Sequence, residues 1–170
     1  VLIGYNNRNY DDVLLDYLDI SKFNSKQQAK YINTALYNLS SAIINFEGNY
    51  RWDNNLFKNY VQPYKSSDLM AMLFEKIARK GLKQVAINLK WYRIQDLPIE
   101  PNTIIDFDDI NNILDYNIND VLITHRLYWK KFEEVSIRIE IGHLYGINFL
   151  NSNRSNIADE FIWNKVANYF

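Results

Sequence analysis

The sequence predicts a helix-dominated α/β protein with few strands, and three observations carry that expectation. The 170 residues open on Val1-Leu2-Ile3-Gly4-Tyr5, a short apolar run bounded by the polar cluster Asn6-Asn7-Arg8-Asn9, which reads as a buried, parallel strand leading into a strand-to-helix turn. Most of the remaining chain places apolar residues at helical spacing. Hydrophobic residues make up 48% and charged residues 23%, with four Trp, thirteen Tyr and nine Phe, so one domain with a substantial core is expected and wholesale disorder is excluded.

Element by element, Asp11 and Asp12 stand before Val13, Leu14, Leu15 and Leu18, where the dipole of a first helix favours carboxylates. Ser25 caps a second helix, whose stripe of Tyr31, Ile32, Ala35, Leu36, Leu39, Ile43 and Ile44 carries it into the forties. From Phe46 to Ser67, Gly48, Pro63 and repeated Asn interrupt any period, which predicts a long irregular connection. Asp68 to Phe74 is apolar and reads as strand or helix; Glu75 to Lys90, broken by Gly81, reads as two short helical pieces. Pro98 and Pro101 make Gln95 to Asn102 an extended loop. Asp108 or Asp109 then caps a long helix carrying Ile110, Ile113, Leu114, Val121, Leu127 and Tyr128 through about Phe132. A further helix from Glu133 to Leu144 closes at Tyr145-Gly146, and Ser155 to Phe170 forms a terminal helix.

Composition narrows the chemistry. Nineteen basic against twenty acidic residues leave a net charge of −1, so any nucleic-acid binding must be local rather than driven by a global field. Zero Cys removes disulfides, thiolate metal sites and a Cys nucleophile, and fits a reducing, cytoplasmic location. No apolar run approaches the roughly 18 to 20 residues that cross a bilayer, so no membrane partner is expected. The abundance of Asn, Ile, Tyr and Lys reads as a coding bias, as in a phage or a low-GC bacterium. The apolar start at Val1 reads as a chain cut in mid-fold.

Two constellations can carry chemistry. In Gly4-Tyr5-Asn6-Asn7-Arg8-Asn9-Tyr10-Asp11, the carboxylate of Asp11 lies just past a strand end, where open α/β sheets bind ligands; the same position also suits a simple helix cap. In Tyr116-Asn117-Ile118-Asn119-Asp120, the phenol and the last carboxylate are four residues apart on one helical face, either sharing a site or lying on a solvated surface.

The first constellation resembles the second motif of the DEDD 3'-5' exonucleases, especially the proofreading form in replicative DNA polymerases. Tyr116-x-x-x-Asp120, followed by Val121 and Thr124, resembles the third motif in its tyrosine version. Gly81-Leu82-Lys83-Gln84-Val85 and Gln95-Asp96-Leu97-Pro98 are similar to the middle of phage-type exonucleases. The resemblance spans residues 1 to 132, an exonuclease-like part, with 133 to 170 a C-terminal helical extension of the same domain. It implies a ribonuclease H-like fold and hydrolysis of the terminal phosphodiester of DNA by two Mg²⁺ or Mn²⁺ ions. By resemblance, Asp11 and Asp120 are metal ligands, Tyr116 orients the attacking water, and Asn6 and Asn9 stand near the terminal nucleotide.

The family's first motif, Asp-x-Glu, supplies two further carboxylates upstream of the second motif, and it occurs nowhere in this sequence. Asp106-Phe107-Asp108 comes nearest but lies after the second motif. Two carboxylates do not neutralise a pair of divalent ions about 4 Å apart. The expectation is therefore an N-terminally truncated ribonuclease H-like fold carrying half of a site. Its partners are the 3' end of single-stranded DNA and a polymerase domain or segment that supplies the first motif. A sheet edge left open by truncation invites a homo-oligomer.

His125 lies five residues past Asp120 and points elsewhere; neither it nor His143 is expected to act as a base. Residues 89–93 and 125–132 interleave cations with aromatics, as single-strand grooves do and as amphipathic helices with snorkelling Lys also do; Lys83, Lys90 and Arg126 are the candidate phosphate contacts. No P-loop, dinucleotide fingerprint, nucleophile elbow or His-Glu-x-x-His pattern occurs. Three functions stay open: a 3'-5' exonuclease completed by residues outside the chain, a non-catalytic nuclease-like module that binds nucleic acid or a polymerase, and a helical interaction protein in which both motifs are coincidences.

Overall fold

A computed structural model describes residues 1–21, 29–48, 50–100 and 103–167. The chain divides into two units, Val1–Asp68 and Leu69–Phe170. In the first, strand β1 (Leu2–Gly4) leads through a single 3-10 turn (Asn7–Asn9) into helix α1 (Asp11–Ser21). Helix α2 (Ala29–Ile44), a one-turn helix α3 (Tyr50–Asp53) and strand β2 (Ser66–Asp68) come next. The two strands pair in parallel, with Gly4 opposite Asp68.

The strand-to-helix turn after β1 is held by polar groups rather than by apolar packing. Asp68 accepts from the backbone N–H groups of Asn6 (2.8 Å) and Arg8 (3.4 Å), so the last residue of β2 clasps the turn that leaves β1. The Asn7 amide donates to Ser66 Oγ (2.6 Å) and Asp12 Oδ1 (3.1 Å). Because Asn7 is folded back under the strand, a Cβ at Gly4 would lie 2.6 Å from its side chain, and only glycine fits there. Helix α1 starts as Val13 and Leu14 donate to the Tyr10 carbonyl. Among the described residues of this unit, Val13, Leu39 and Phe57 are the buried apolar side chains.

The second unit is helical among its described residues: α4 (Leu69–Leu73), a 3-10 turn (Lys76–Ala78), α5 (Leu82–Asn88), α6 (Asp109–Lys130), α7 (Phe132–Tyr145) and α8 (Arg154–Ala167). Its core contains Leu69, Met72, Val85, Ile123, Leu127 and Phe149. Gly146 ends α7 at φ 67°, the left-handed cap that glycine adopts without penalty. At the start of α8, Asn153 accepts from Asn156 N–H (2.9 Å) and donates to Glu75 (2.7 Å), capping the helix and tying it to the loop after α4. Arg138 is buried and donates to three carbonyls, those of Ser152 (3.2 Å), Glu134 (2.8 Å) and Met72 (3.3 Å). Burial holds its guanidinium below its ordinary pKa. No helix among the described residues is long and apolar enough to cross a membrane.

Several expectations meet the structure closely. The strand, turn and helix at the N-terminus, the two pieces within 75–90, the loop from residue 95 and the glycine-closed helix all form; the Ser25 cap, Pro101, Asn102 and residues 168–170 lie outside the described residues. The ribonuclease H-like α/β fold is overturned, because such a fold needs a sheet of many strands and the described residues pair only two strands of three residues each. The apolar stretches that could have widened the sheet, Leu69–Leu73 and Leu82–Asn88, are rich in Leu, Met, Ala, Lys and Gln and take helical form instead. Nor is β1 buried, with Leu2 46% and Ile3 38% exposed. The long helix stops at Lys130, and Lys131 separates it from α7.

Replacing Arg138 by Leu keeps an apolar stem but leaves buried carbonyls without donors. The predicted loss is about 3 kcal/mol in urea unfolding; a loss under about 1 kcal/mol would show that water takes over those bonds.

Candidate functional site

Helix α6 turns one face inward through Asn119, Ile123 and Leu127, each four residues from the next. Beside that stripe, Tyr116 and Asp120 are half-buried and lie one turn apart. They line a cavity of about 250 Å³ whose opposite walls are the start of α5, with Gly81, Lys83 and Ala86, and the loop residues Ile94 and Gln95. The Tyr116 phenol and the Asp120 carboxylate are close enough across that turn to influence each other electrostatically. Burial, with the nearby Asp120 charge, raises the Tyr116 phenol above its ordinary pKa, so it keeps its proton at neutral pH and can orient a water rather than deprotonate it. Burial also raises the Asp120 carboxyl, against the opposing pull of the nearby Tyr116 hydroxyl.

The loop wall is fixed by Asn119. Its Oδ1 accepts from Trp91 Nε1 (2.9 Å) and its Nδ2 donates to the Arg93 carbonyl (3.3 Å), which ties residues 91–93 to α6. Arg93 also pairs with Asp115, with Nη1 at 3.2 Å from Oδ1, and Lys83 pairs with Asp96 at the cavity edge. Gln95, which lines the cavity, has a buried Oε1 with no hydrogen-bond partner among the described residues. Lys83 thus lines the same cavity as Tyr116 and Asp120. Lys90 is exposed at a left-handed turn (φ 54°) and Arg126 is exposed on α6; neither lines this cavity. His125 accepts from Trp129 Nε1 (2.8 Å).

In the N-terminal unit, Asp11 is the first residue of α1. Burial raises its carboxyl above the ordinary range, and the charges of Asp12 and Asp68 push the same way. Burial also pushes the Tyr5 phenol up to about 12, with the Asp68 charge adding to it. Asn6 and Asn9 bond to each other, Asn9 Nδ2 donating to Asn6 Oδ1 (2.9 Å) within the turn. This strand exit therefore gathers Asn6, Asn9, Asp11, Asp12 and Asp68.

Whether these residues fit a pair of divalent ions can be read from their donors. Both Asp68 oxygens accept backbone N–H groups, and Asp12 Oδ1 accepts from Asn7. At this strand exit, Asn7 Oδ1 and Asp12 Oδ2 are buried with no hydrogen-bond partner among the described residues, one amide oxygen and one carboxylate oxygen. At Asp120 the neighbouring oxygen is a protonated phenol. No three His, Asp or Glu side chains among the described residues are grouped to hold a metal ion. The residues described do not fit a two-ion centre.

Of the residues singled out from the sequence, Tyr116, Asp120 and Lys83 line one cavity, while Asn119, Gln95 and Asp68, which shape the structure, were not singled out. A signal existed for Asn119, which occupies the buried register of Ile123 and Leu127. Comparison with protein-family models, curated proteins and solved structures gives no match.

The raised Asp120 carboxyl yields a signed prediction. The folded chain holds this proton more tightly than the unfolded chain, so the contribution is favourable in acid and is lost as pH rises through the carboxylate range. Asp120→Asn is predicted to stabilise the chain at pH 7 by about 0.5 kcal/mol, a small figure because the group is half exposed and screened. The gain should vanish near pH 3, below the unperturbed carboxylate pKa of about 3.9. A variant less stable than wild type at pH 7 would contradict this.

Proposed function

We propose that this chain acts at the 3' end of single-stranded DNA as part of a 3'-5' exonuclease in the cytoplasm. The observation that carries the reading is the Tyr116–Asp120 pair, one turn apart on α6 and facing a cavity that Lys83 also lines. A protonated phenol and a carboxylate one turn apart can hold a water between an acceptor and a donor, as the phosphodiester hydrolysis requires. In that reaction water adds to phosphorus, the bond to the 3' oxygen breaks, and a nucleoside 5'-monophosphate leaves. Lys83, released from Asp96, offers a cation for the phosphate. Asn6, Asn9 and Asp11 enter by motif resemblance and by their common place at the strand exit.

The Mg²⁺ or Mn²⁺ ions that such a reaction uses polarise the phosphate and stabilise the attacking and leaving oxygens. The residues described do not supply their ligand set, so no step is routed through them, and the activity needs carboxylates from a polymerase domain or another segment. The same shortfall favours a second reading, a non-catalytic module that binds DNA ends.

Fluorescence anisotropy with a labelled oligonucleotide separates these from a helical interaction protein. The 170-residue chain is expected to bind a linear strand with a free 3' hydroxyl about tenfold more tightly than a circular strand, and Lys83→Ala is expected to weaken that binding severalfold. Little or no digestion is expected from the chain alone. Slow Mn²⁺-dependent release of mononucleotides, abolished by Asp120→Ala, would favour catalysis by this chain. Equal binding of linear and circular strands, unaffected by Lys83→Ala, would sink both nucleic-acid readings.

A further inference from the structure

The C-terminal unit holds a second cavity, of about 390 Å³, that shares no residue with the first. Its floor is apolar, built from Met72 and Phe74 at the end of α4 and just beyond it, Val85 and Leu89 on and after α5, and Leu127 on α6. Asn88 adds an amide to that wall. Its rim is cationic: Lys130 and Lys131 from the junction of α6 and α7, and Arg154 from the start of α8.

One carboxylate, Glu134, stands among these cations. Lys131 donates to it at 2.6 Å and Arg154 approaches it at 3.3 Å. Burial pushes the Glu134 carboxyl up, but hydrogen bonds from Lys131 and Arg154 outweigh this and hold it below its ordinary pKa, so it is ionised at neutral pH. Three cations against one carboxylate leave a rim surplus of two positive charges. Lys130 has no ion pair or hydrogen bond among the described residues. Buried Arg138 adds its charge 4.0 Å from Glu134, behind the wall.

A phosphate monoester carries about −1.5 to −2 charges at pH 7, which matches this surplus, whereas a carboxylic acid would leave half of it uncompensated. Arg and Lys together suit phosphate oxygens, Arg by paired donors and Lys as a point charge. The volume lies at the lower end of the roughly 300 to 1,000 Å³ typical of small-molecule sites, a size suited to one nucleotide rather than a long chain. An apolar floor with a single amide at its edge suits a planar base, which presents a flat face and a hydrogen-bonding edge.

We propose that this cavity binds a nucleoside monophosphate, its phosphate held by Lys130, Lys131 and Arg154 and its base laid on the apolar floor beside Asn88. The inference stands apart from the exonuclease reading, since it uses neither Tyr116 nor Asp120.

Calorimetric titration of the whole chain with dTMP, thymidine, inorganic phosphate and decanoate tests it. One dTMP is expected per chain, with thymidine and phosphate each bound at least about tenfold more weakly, because each loses one half of the recognition. Lys130→Glu and Arg154→Glu, both at exposed positions and expected to leave the unfolding midpoint in place, should each weaken dTMP about tenfold. In amide NMR, dTMP should shift residues 85–89 and 130–134 and leave 116–120 unmoved. Decanoate binding more tightly than dTMP, indifference to both charge reversals, or shifts confined to 116–120 would each overturn the proposal, the last without touching the exonuclease reading.

Discussion

Asn119 sits in the middle of a 22-residue helix on the face that faces inward, a position where an apolar residue would be the ordinary choice. Its amide is satisfied on both sides, by the Trp91 indole and the Arg93 carbonyl, and the loop after α5 has its path set by those two bonds. An unpartnered amide there would cost about 1 to 3 kcal/mol, so the helix face and the loop specify each other. The neighbouring Arg93–Asp115 pair joins the same elements but is exposed on both sides, and a surface pair of this kind contributes little. Gln95 and Ile94 wall the Tyr116–Asp120 cavity because the residues just before them are held in place.

The seven residues of α5 divide the two cavities of the C-terminal unit. Lys83 and Ala86 face the Tyr116–Asp120 side, while Val85 and Asn88, with Leu89 just beyond, face the cationic cavity. The same partition runs along α6, where Tyr116, Asp120 and Ile123 serve the first cavity and Leu127 and Lys130 the second. A short helix wedged against a long one thus presents two chemically different surfaces. One is a phenol and carboxylate with a compensated lysine; the other is an apolar bed under a surplus of positive charge.

How far these features were legible depends on whether they arise from local order. The four-residue spacing of Tyr116 and Asp120, the glycine after Tyr145 and the apolar run at Val1 are local, and each gave the element expected of it. Strand β2 was illegible, because Ser66-Ser67-Asp68 shows no apolar pattern; it is a strand through pairing with β1 and through bonds from Asn6, Asn7 and Arg8 some sixty residues away. The same blindness produced the ribonuclease H-like expectation, which rested on motifs at a strand exit and in a helix and could not count strands. Asn119 and Gln95 acquire their roles only once the loop from 91 to 95 lies beside α6, which no periodicity announces.

Hydrogen–deuterium exchange across residues 89–96 in wild type and Asn119→Leu tests the role of this amide most directly. Its loss is predicted to raise exchange within that loop, the Trp91 N–H that donates to Ala86 included, while α7 and the core of α6 stay protected. Unchanged exchange in the loop, with Asn119 gone and the unit folded, would show that something other than this amide sets its path.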